Sequence, residues 1–299
     1  DKKHLPYSYC RWGSITPTFE MVEAFEYQDG SEGKIDIGQS FETTYEMFQG
    51  KDPRFLASIY VPGSSLLGST MQFQRGLILK DGSKYYAQSA PGPSYLLETY
   101  IDPETQRKDT IFGKDGGTYT GDASKTGFNI RKFVNENLKT EAQWDFGKTE
   151  TSFPIFRLAE VYLNLAEAAV EMGKYQTEAF EAIKKIRDRA GVVTPFAVVD
   201  VEKVRHERQV ELAFEGHRFW DMKRWRIAHL PVDQGGLNGF RGAGLHPFFD
   251  LRIRKYVFEV ANDLPKRQRV FTEKNYYTKF SGNDMNSNPS LIQNPEFLN

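Results

Sequence analysis

Residues 153–191, FPIFRLAEVYLNLAEAAVEMGKYQTEAFEAIKKIRDRAG, decide the architecture. Leu158, Val161, Tyr162, Leu165, Ala169 and Met172 recur at helical spacing, which predicts a helix with one apolar stripe that Gly173 ends. Ala179, Phe180, Ile183, Ile186 and Ala190 mark a second helix, capped by Gln176 or Thr177 and closed by Gly191. So short a connection makes the two helices antiparallel neighbours. Asp200 opens a third helix carrying Val201, Val204, Val210, Leu212 and Phe214 before Gly216, and a shorter helical piece follows over 218–226. Residues 153–226 therefore read as a helical scaffold.

The flanks differ from it. Residues 1–152 alternate short β-like runs with turn clusters and show no long helical period. Thr16-Pro17 signals a helix start, and Asp29-Gly30 a stop. Residues 55–61 and 77–79 read as strands, residues 113–127 as a long polar loop, and residues 128–134 as a strand or an extended connector. Residues 227–299 return to turns and aromatics. No low-complexity linker cuts the chain, so one compact unit is expected.

Composition narrows the function. The 299 residues carry 39 Lys and Arg against 40 Asp and Glu, a formal charge of −1, which leaves no broad basic surface for nucleic acid. Mean hydropathy is −0.57, and no apolar run approaches the roughly 18 residues of a bilayer span. The single cysteine, Cys10, permits neither an intrachain disulfide nor a cysteine metal cluster. Pro6, Tyr7, Ser8 and Tyr9 before it do not make a lipidation signal, so Cys10 is read as a plain thiol.

Candidate chemistry is sparse. Glu160 and Glu167 share a helical face, but seven residues rise about 10.5 Å. That is outside the roughly 5–9.5 Å of glycosidase carboxyl pairs, so both read as structural. Glu207, Glu211 and Glu215 form an i, i+4 ladder with Arg208, Arg218 and Arg224 at three-residue offsets from Glu211, Glu215 and Asp221, an alternating ion-pair network. The five histidines lack zinc spacing. The 115–122 loop lacks the calcium register of an EF-hand, and no phosphate loop, dinucleotide fingerprint or nucleophile elbow occurs. No catalytic residue, metal or cofactor is expected. Aromatic rings on loops remain: 4 Trp, 15 Tyr and 23 Phe offer flat faces that suit the C–H face of a pyranose. Trp12, Tyr95 and Trp144 are nominated as sugar-stacking residues on that ground.

The helical stretch, together with ERQVELAFEGHRFWDMKRW at 207–225, resembles the C-terminal region of the SusD/RagB family of outer-membrane nutrient-binding lipoproteins. TPTFEMVEAFEYQDG (16–30), DPRF (52–55), TGFNIRKF (126–133) and QNPEF (293–297) follow in the family's order. The chain departs from the pattern around Thr278, Lys279 and Phe280, and where QNPEF stands for QNPGY. The resemblance implies a mainly α fold, with tetratricopeptide-like helical hairpins, large irregular loops and a few short strands. It also implies a non-enzymatic role at the outer face of the outer membrane: capturing oligosaccharide and passing it to a TonB-dependent, SusC-like transporter. On this reading the chain is the C-terminal portion of a longer protein whose N-terminal half bears the lipid anchor. A peptide-binding member of the family, a glycoside hydrolase, and a scaffold blind to sugar are the alternatives.

Overall fold

The computed structural model describes residues 4, 13, 15–86, 99–116, 123–137, 151–262 and 268–297. They group into two compact units: Asp1–Glu215 with Gly242–Leu264, and Gly216–Arg241 with Pro265–Asn299. This division cuts across the successive stretches 1–152, 153–226 and 227–299, and differs from the single unit expected. A hairpin from the third stretch joins the first unit because its strands pair with strands from residues 40–78.

The first unit opens with α1 (Phe19–Ala24), β1 (Ser40–Phe41), α2 (Pro53–Ser58) and β2 (Ile59–Tyr60). Short strands follow: β3 (Ser65–Leu66), β4 (Ser69–Thr70), β5 (Gly76–Ile78), β6 (Lys84–Tyr85), β7 (Thr99–Ile101), β8 (Lys108–Thr110) and β9 (Asn129–Ile130). Then come α3 (Leu158–Glu171), α4 (Gln176–Ala190), α5 (Val201–Glu211) and the hairpin β10 (Gly244–Asp250) and β11 (Lys255–Ala261). Residues 55–61 are mostly helix rather than strand. Asp52 accepts Arg54 N–H at 2.8 Å and Pro53 fills the first helical position, a start signal that overrides the β-like composition as far as Ser58.

A five-stranded sheet in the order β1-β11-β10-β5-β6 gives this unit more strand than its sequence suggests. Only the β10–β5 pairing in it is parallel. Register places Phe41, Tyr256, Phe249, Leu77 and Tyr85 in one row across it, hence on one face. Phe258, on that same face, packs edge-on against Phe48, whose neighbours Phe55 and Phe128 complete an aromatic core.

The α3–α4 hairpin forms as expected but turns another face inward. Ala159, Leu163, Ala166 and Ala169 are buried against Ala179, Ala182, Ile183 and Ile186. Of the expected stripe only Ala169 is buried; Leu158, Val161, Leu165 and Met172 are exposed, as are Phe153, Phe156 and Ile155, the last 89% accessible. Alanines let two helix axes approach closely, so the small residues next to the stripe make the contact. Tyr175 joins the helices with a left-handed φ of 58°, Gly191 closes α4 in the same region, and Asp200 caps α5 through Lys203 N–H.

The glutamate ladder of α5 and the turn after it is buried and finds its cations far away in sequence. Glu207 binds Arg54 at 2.5 Å and Arg187 at 2.9 Å. Glu211 takes Arg54 at 2.9 Å, Arg157 at 2.6 Å and Arg189. Glu215 takes two bonds from Arg157, at 2.7 and 2.8 Å, and one from Lys132. Of the local pairs expected from three-residue offsets, Asp221–Arg224 forms at 2.9 Å, whereas Glu211 and Glu215 take long-range partners and Arg208 turns to Asn164 at 2.8 Å. Charges this deep need several donors each, more than i±3 neighbours supply.

Lys51 is a second buried charge. Its ammonium donates to the carbonyls of Phe25, at 2.8 Å, and Gly33, closing the end of α1, and lies 4.7 Å from the Tyr27 ring centre.

The second unit holds α6 (His217–Arg224) and α7 (Gly282–Ser287), and Met222 of α6 joins Ala228 and Phe271 in a small core. The two places that depart from the family pattern meet here. Gln293 exchanges two hydrogen bonds with the backbone of Phe280, at 3.0 and 3.1 Å, and Asn294 donates to Thr278 O at 2.6 Å.

Two stability measurements follow. Burial pushes the Glu211 carboxyl upward, but the hydrogen bonds and charges of Arg157 and Arg54 outweigh it and hold the group at about 2, below the ordinary 4.5. Its contribution is therefore present above pH 4.5 and lost as the pH falls toward 2. Glu211→Gln costs about 3–5 kcal/mol near neutrality in urea unfolding, and the deficit shrinks in acid. Burial lowers Lys51 to about 8 from 10.5 despite the pull of Glu23 and Asp52. The unfolded chain then binds more protons between those values, so wild type gains up to about 3 kcal/mol over Lys51→Met as pH rises through that window.

Candidate functional site

A cleft of about 560 Å³ opens in the first unit where four separate segments meet beside Tyr256 of β11. That volume lies within the range of about 300–1,000 Å³ typical of ligand pockets. One wall is residues 42–45, leading into a short 3₁₀ turn at Glu46–Phe48. Glu46 orders this wall by accepting Glu42 N–H at 3.1 Å and the Thr43 hydroxyl at 3.0 Å. The facing wall is residues 70–74, with Thr110 and Gly113 behind it.

Backbone bonds fix each wall separately. Gly63 N–H donates to Met71 O at 3.0 Å, and Met71 N–H to Ser64 O at 2.8 Å. Gly113 N–H donates to Gln74 O at 2.8 Å, and Asp115 N–H to Gln72 O at 2.9 Å. The buried Asp115 carboxylate returns the contact by accepting Gln72 N–H at 2.9 Å. Gln74 spends its amide on the carbonyls of Thr110, at 2.7 Å, and Ile111, at 3.0 Å. Gly63 adopts φ +89°, and a Cβ there would stand 2.8 Å from Tyr45 Cβ, so only glycine lets the ring sit at the cleft.

The chemistry of this surface is neutral and amphipathic. Tyr45 and Tyr256 are half-buried rings, and burial pushes the Tyr256 phenol pKa up, keeping it a neutral donor and acceptor. Tyr256 is braced edge-on by Phe249 at 5.0 Å. Among the described residues none hydrogen-bonds the side chains of Thr44, Thr70, Gln72 or Tyr256, which leaves hydroxyls and an amide facing two rings. Rings for C–H faces and neutral polar groups for hydroxyls are what a sugar requires.

A second concavity of about 620 Å³ lies between α1, α5 and Phe196. Several of its charges are engaged: Glu23 with Lys34 at 2.7 Å, Glu26 with Arg187 at 2.6 Å, and Asp200 with Lys203. Arg187 and Lys203 also lie 5.6 and 5.4 Å from the centre of the Phe196 ring. This hollow offers less free recognition chemistry than the cleft.

Trp12, Tyr95 and Trp144, the rings nominated from sequence, all lie outside the described residues, as does Cys10. Of the 115–122 loop only 115 and 116 are described, and Asp115 serves the Gln72 backbone. Among the described residues no group of three His, Cys, Asp or Glu side chains is placed to hold a metal, and no helix is long and apolar enough to cross a membrane. Glu160 sits 3.8 Å from Arg208, while Arg157, its neighbour in sequence, pairs with Glu211 and Glu215. Sequence reasoning passed over Tyr45 and Tyr256. The run Thr43-Thr44-Tyr45 and the alternation Met71-Gln72-Phe73-Gln74, with polar and apolar faces, were the available signals.

Comparison with known proteins agrees with the fold. Two curated SusD-like proteins of Formosa agariphila are 31% identical over 101 residues and 39% identical over 80. Those matches span 30% and 24% of this chain and 20% and 15% of the relatives. A crystal structure of a SusD-like protein from Bacteroides fragilis NCTC 9343 superposes with TM-score 0.61 at 27% identity, covering 95% of this chain and 47% of that one. A second from the same strain, described as a SusD-like carbohydrate binding protein, gives TM-score 0.61 at 23% identity over 96% of this chain and 50% of its own. The chain thus spans about half the length of these solved relatives. The sequence model of the SusD family matches residues 1–297, and the chain belongs to that family.

Proposed function

We propose that this chain is a non-catalytic glycan-binding protein of the bacterial cell surface, and that the cleft beside Tyr45 and Tyr256 holds the sugar. The observation that carries the reading is the pairing of two half-buried rings with uncommitted hydroxyl and amide groups on fixed walls. A pyranose stacks on a ring through its C–H face while Thr44, Thr70 and Gln72 meet its hydroxyls. The carbohydrate-binding description of one structural relative supports the same class of ligand. The helical hairpin serves as tetratricopeptide-like support, and the full-length protein is anchored by lipid on the outer face of the outer membrane. There it hands oligosaccharide to a TonB-dependent, SusC-like transporter. Trp12, Tyr95 and Trp144 stand as further stacking candidates on the same chemical ground.

Isothermal titration against a broad oligosaccharide panel tests this reading. Tyr45→Ala is expected to weaken the best ligand by about 1 kcal/mol, and Gln72→Ala by a similar amount. Tyr256→Phe keeps the packing and loses only what the phenol contributes. Unchanged affinity in all three variants moves the site elsewhere, to the nominated tryptophans and Tyr95. Binding of peptides and of no sugar replaces the glycan reading with the peptide-binding one, and product formation on chromatography replaces it with hydrolysis.

A further inference from the structure

From the charges around the cleft we infer that it is built for uncharged oligosaccharides, and that Glu42 is the residue that turns away uronates and sulfated sugars. This rests on the sugar-binding reading and adds a ligand class to it. Among the described residues, Glu42 is the ionised side chain lining the cleft; the other lining groups are hydroxyls, amides, rings and a thioether. Its carboxylate is two-thirds exposed, with one oxygen 3.0 Å from the Nζ of Lys255, which itself does not line the cleft. Glu46 lies directly behind, bonded to Glu42 N–H and to the Thr43 hydroxyl, which makes the near wall net negative. On the far side Lys114, next to Gly113, donates to Ser69 Oγ at 2.6 Å.

Sites that take carboxylates or sulfates present guanidinium forks or free ammonium groups to them. Here an anionic sugar would meet a carboxylate with a second one behind it, and like charges brought together oppose binding. A neutral sugar meets the opposite situation. The second oxygen of Glu42 accepts hydroxyl protons, and a charged acceptor makes the stronger bond.

The test compares ligands of the same ring and linkage that differ at C6, where one carries a hydroxymethyl and the other a carboxylate: β-1,4-mannohexaose against β-1,4-hexamannuronate. These accompany a panel of other neutral and sulfated oligosaccharides, read by isothermal titration. Wild type is expected to prefer the neutral members by at least about tenfold. Glu42→Gln, which keeps the shape, is expected to narrow that gap to about threefold or less, with an unchanged thermal midpoint because the side chain is exposed. Equal or tighter binding of the anionic members, or a gap that Glu42→Gln leaves intact, overturns this inference and leaves the sugar-binding reading standing. Failure to bind sugars of either class overturns that reading and the inference with it.

Discussion

Three carboxylates at four-residue intervals, two on α5 and one in the turn after it, are removed from water and must each be met by cations, and α5 has too few of its own. Arg54, Lys132, Arg157, Arg187 and Arg189 supply them from four regions of the chain. The desolvation cost of such groups is large, so the network adds little net stability compared with an apolar packing of equal volume. What it supplies is position. Arg54, held by Asp52 through its own side chain, sets α2 against α5, and Arg157 ties the start of α3 to the end of α5.

That frame reaches the cleft through the aromatic core. α2 leads directly into β2 and Val61, which carries the chain to Gly63 on the rim. Phe55 of α2 packs on Phe48, which ends the 3₁₀ turn behind Tyr45, and Phe48 packs on Phe258, two residues along β11 from Tyr256. Both rings of the cleft are thus referred to one core. Neither rests on a free loop.

Much of the helical scaffold was legible in the sequence because its punctuation is local. Gly173, Gly191 and Asp200 end or begin helices through their own backbone or side-chain geometry, which residue identity specifies. The inward face of α3 was not legible. Large apolar residues dominate any periodicity, while close helix packing selected Ala159, Ala166 and Ala169, whose hydrophobic signal is small. The partners of the buried glutamates were hidden for a related reason. Spacing along one helix reveals neighbours, and the partners of Glu211 come from residues 54, 157 and 189. The five-stranded sheet was underread because its strands come from three distant stretches, residues 40–41, 76–85 and 244–261, and two have only two residues. The cleft was the least legible of all. Threonine, glutamine and tyrosine are ordinary surface residues until residues 42–45, 70–74 and 256 are brought together.

The cleft's walls are fastened one at a time. Glu46 secures the near side, Gly63 and Ser64 secure the strip around Met71, and Asp115 with Gln74 secures the back. Because these fastenings are mostly independent, a lineage can rewrite one wall by substitution or insertion without loosening the rest. The lining of the cleft is therefore free to drift faster than the scaffold that carries it. Descendants of a common ancestor that keep the hairpin and the buried charges can come to line that hollow with quite different side chains.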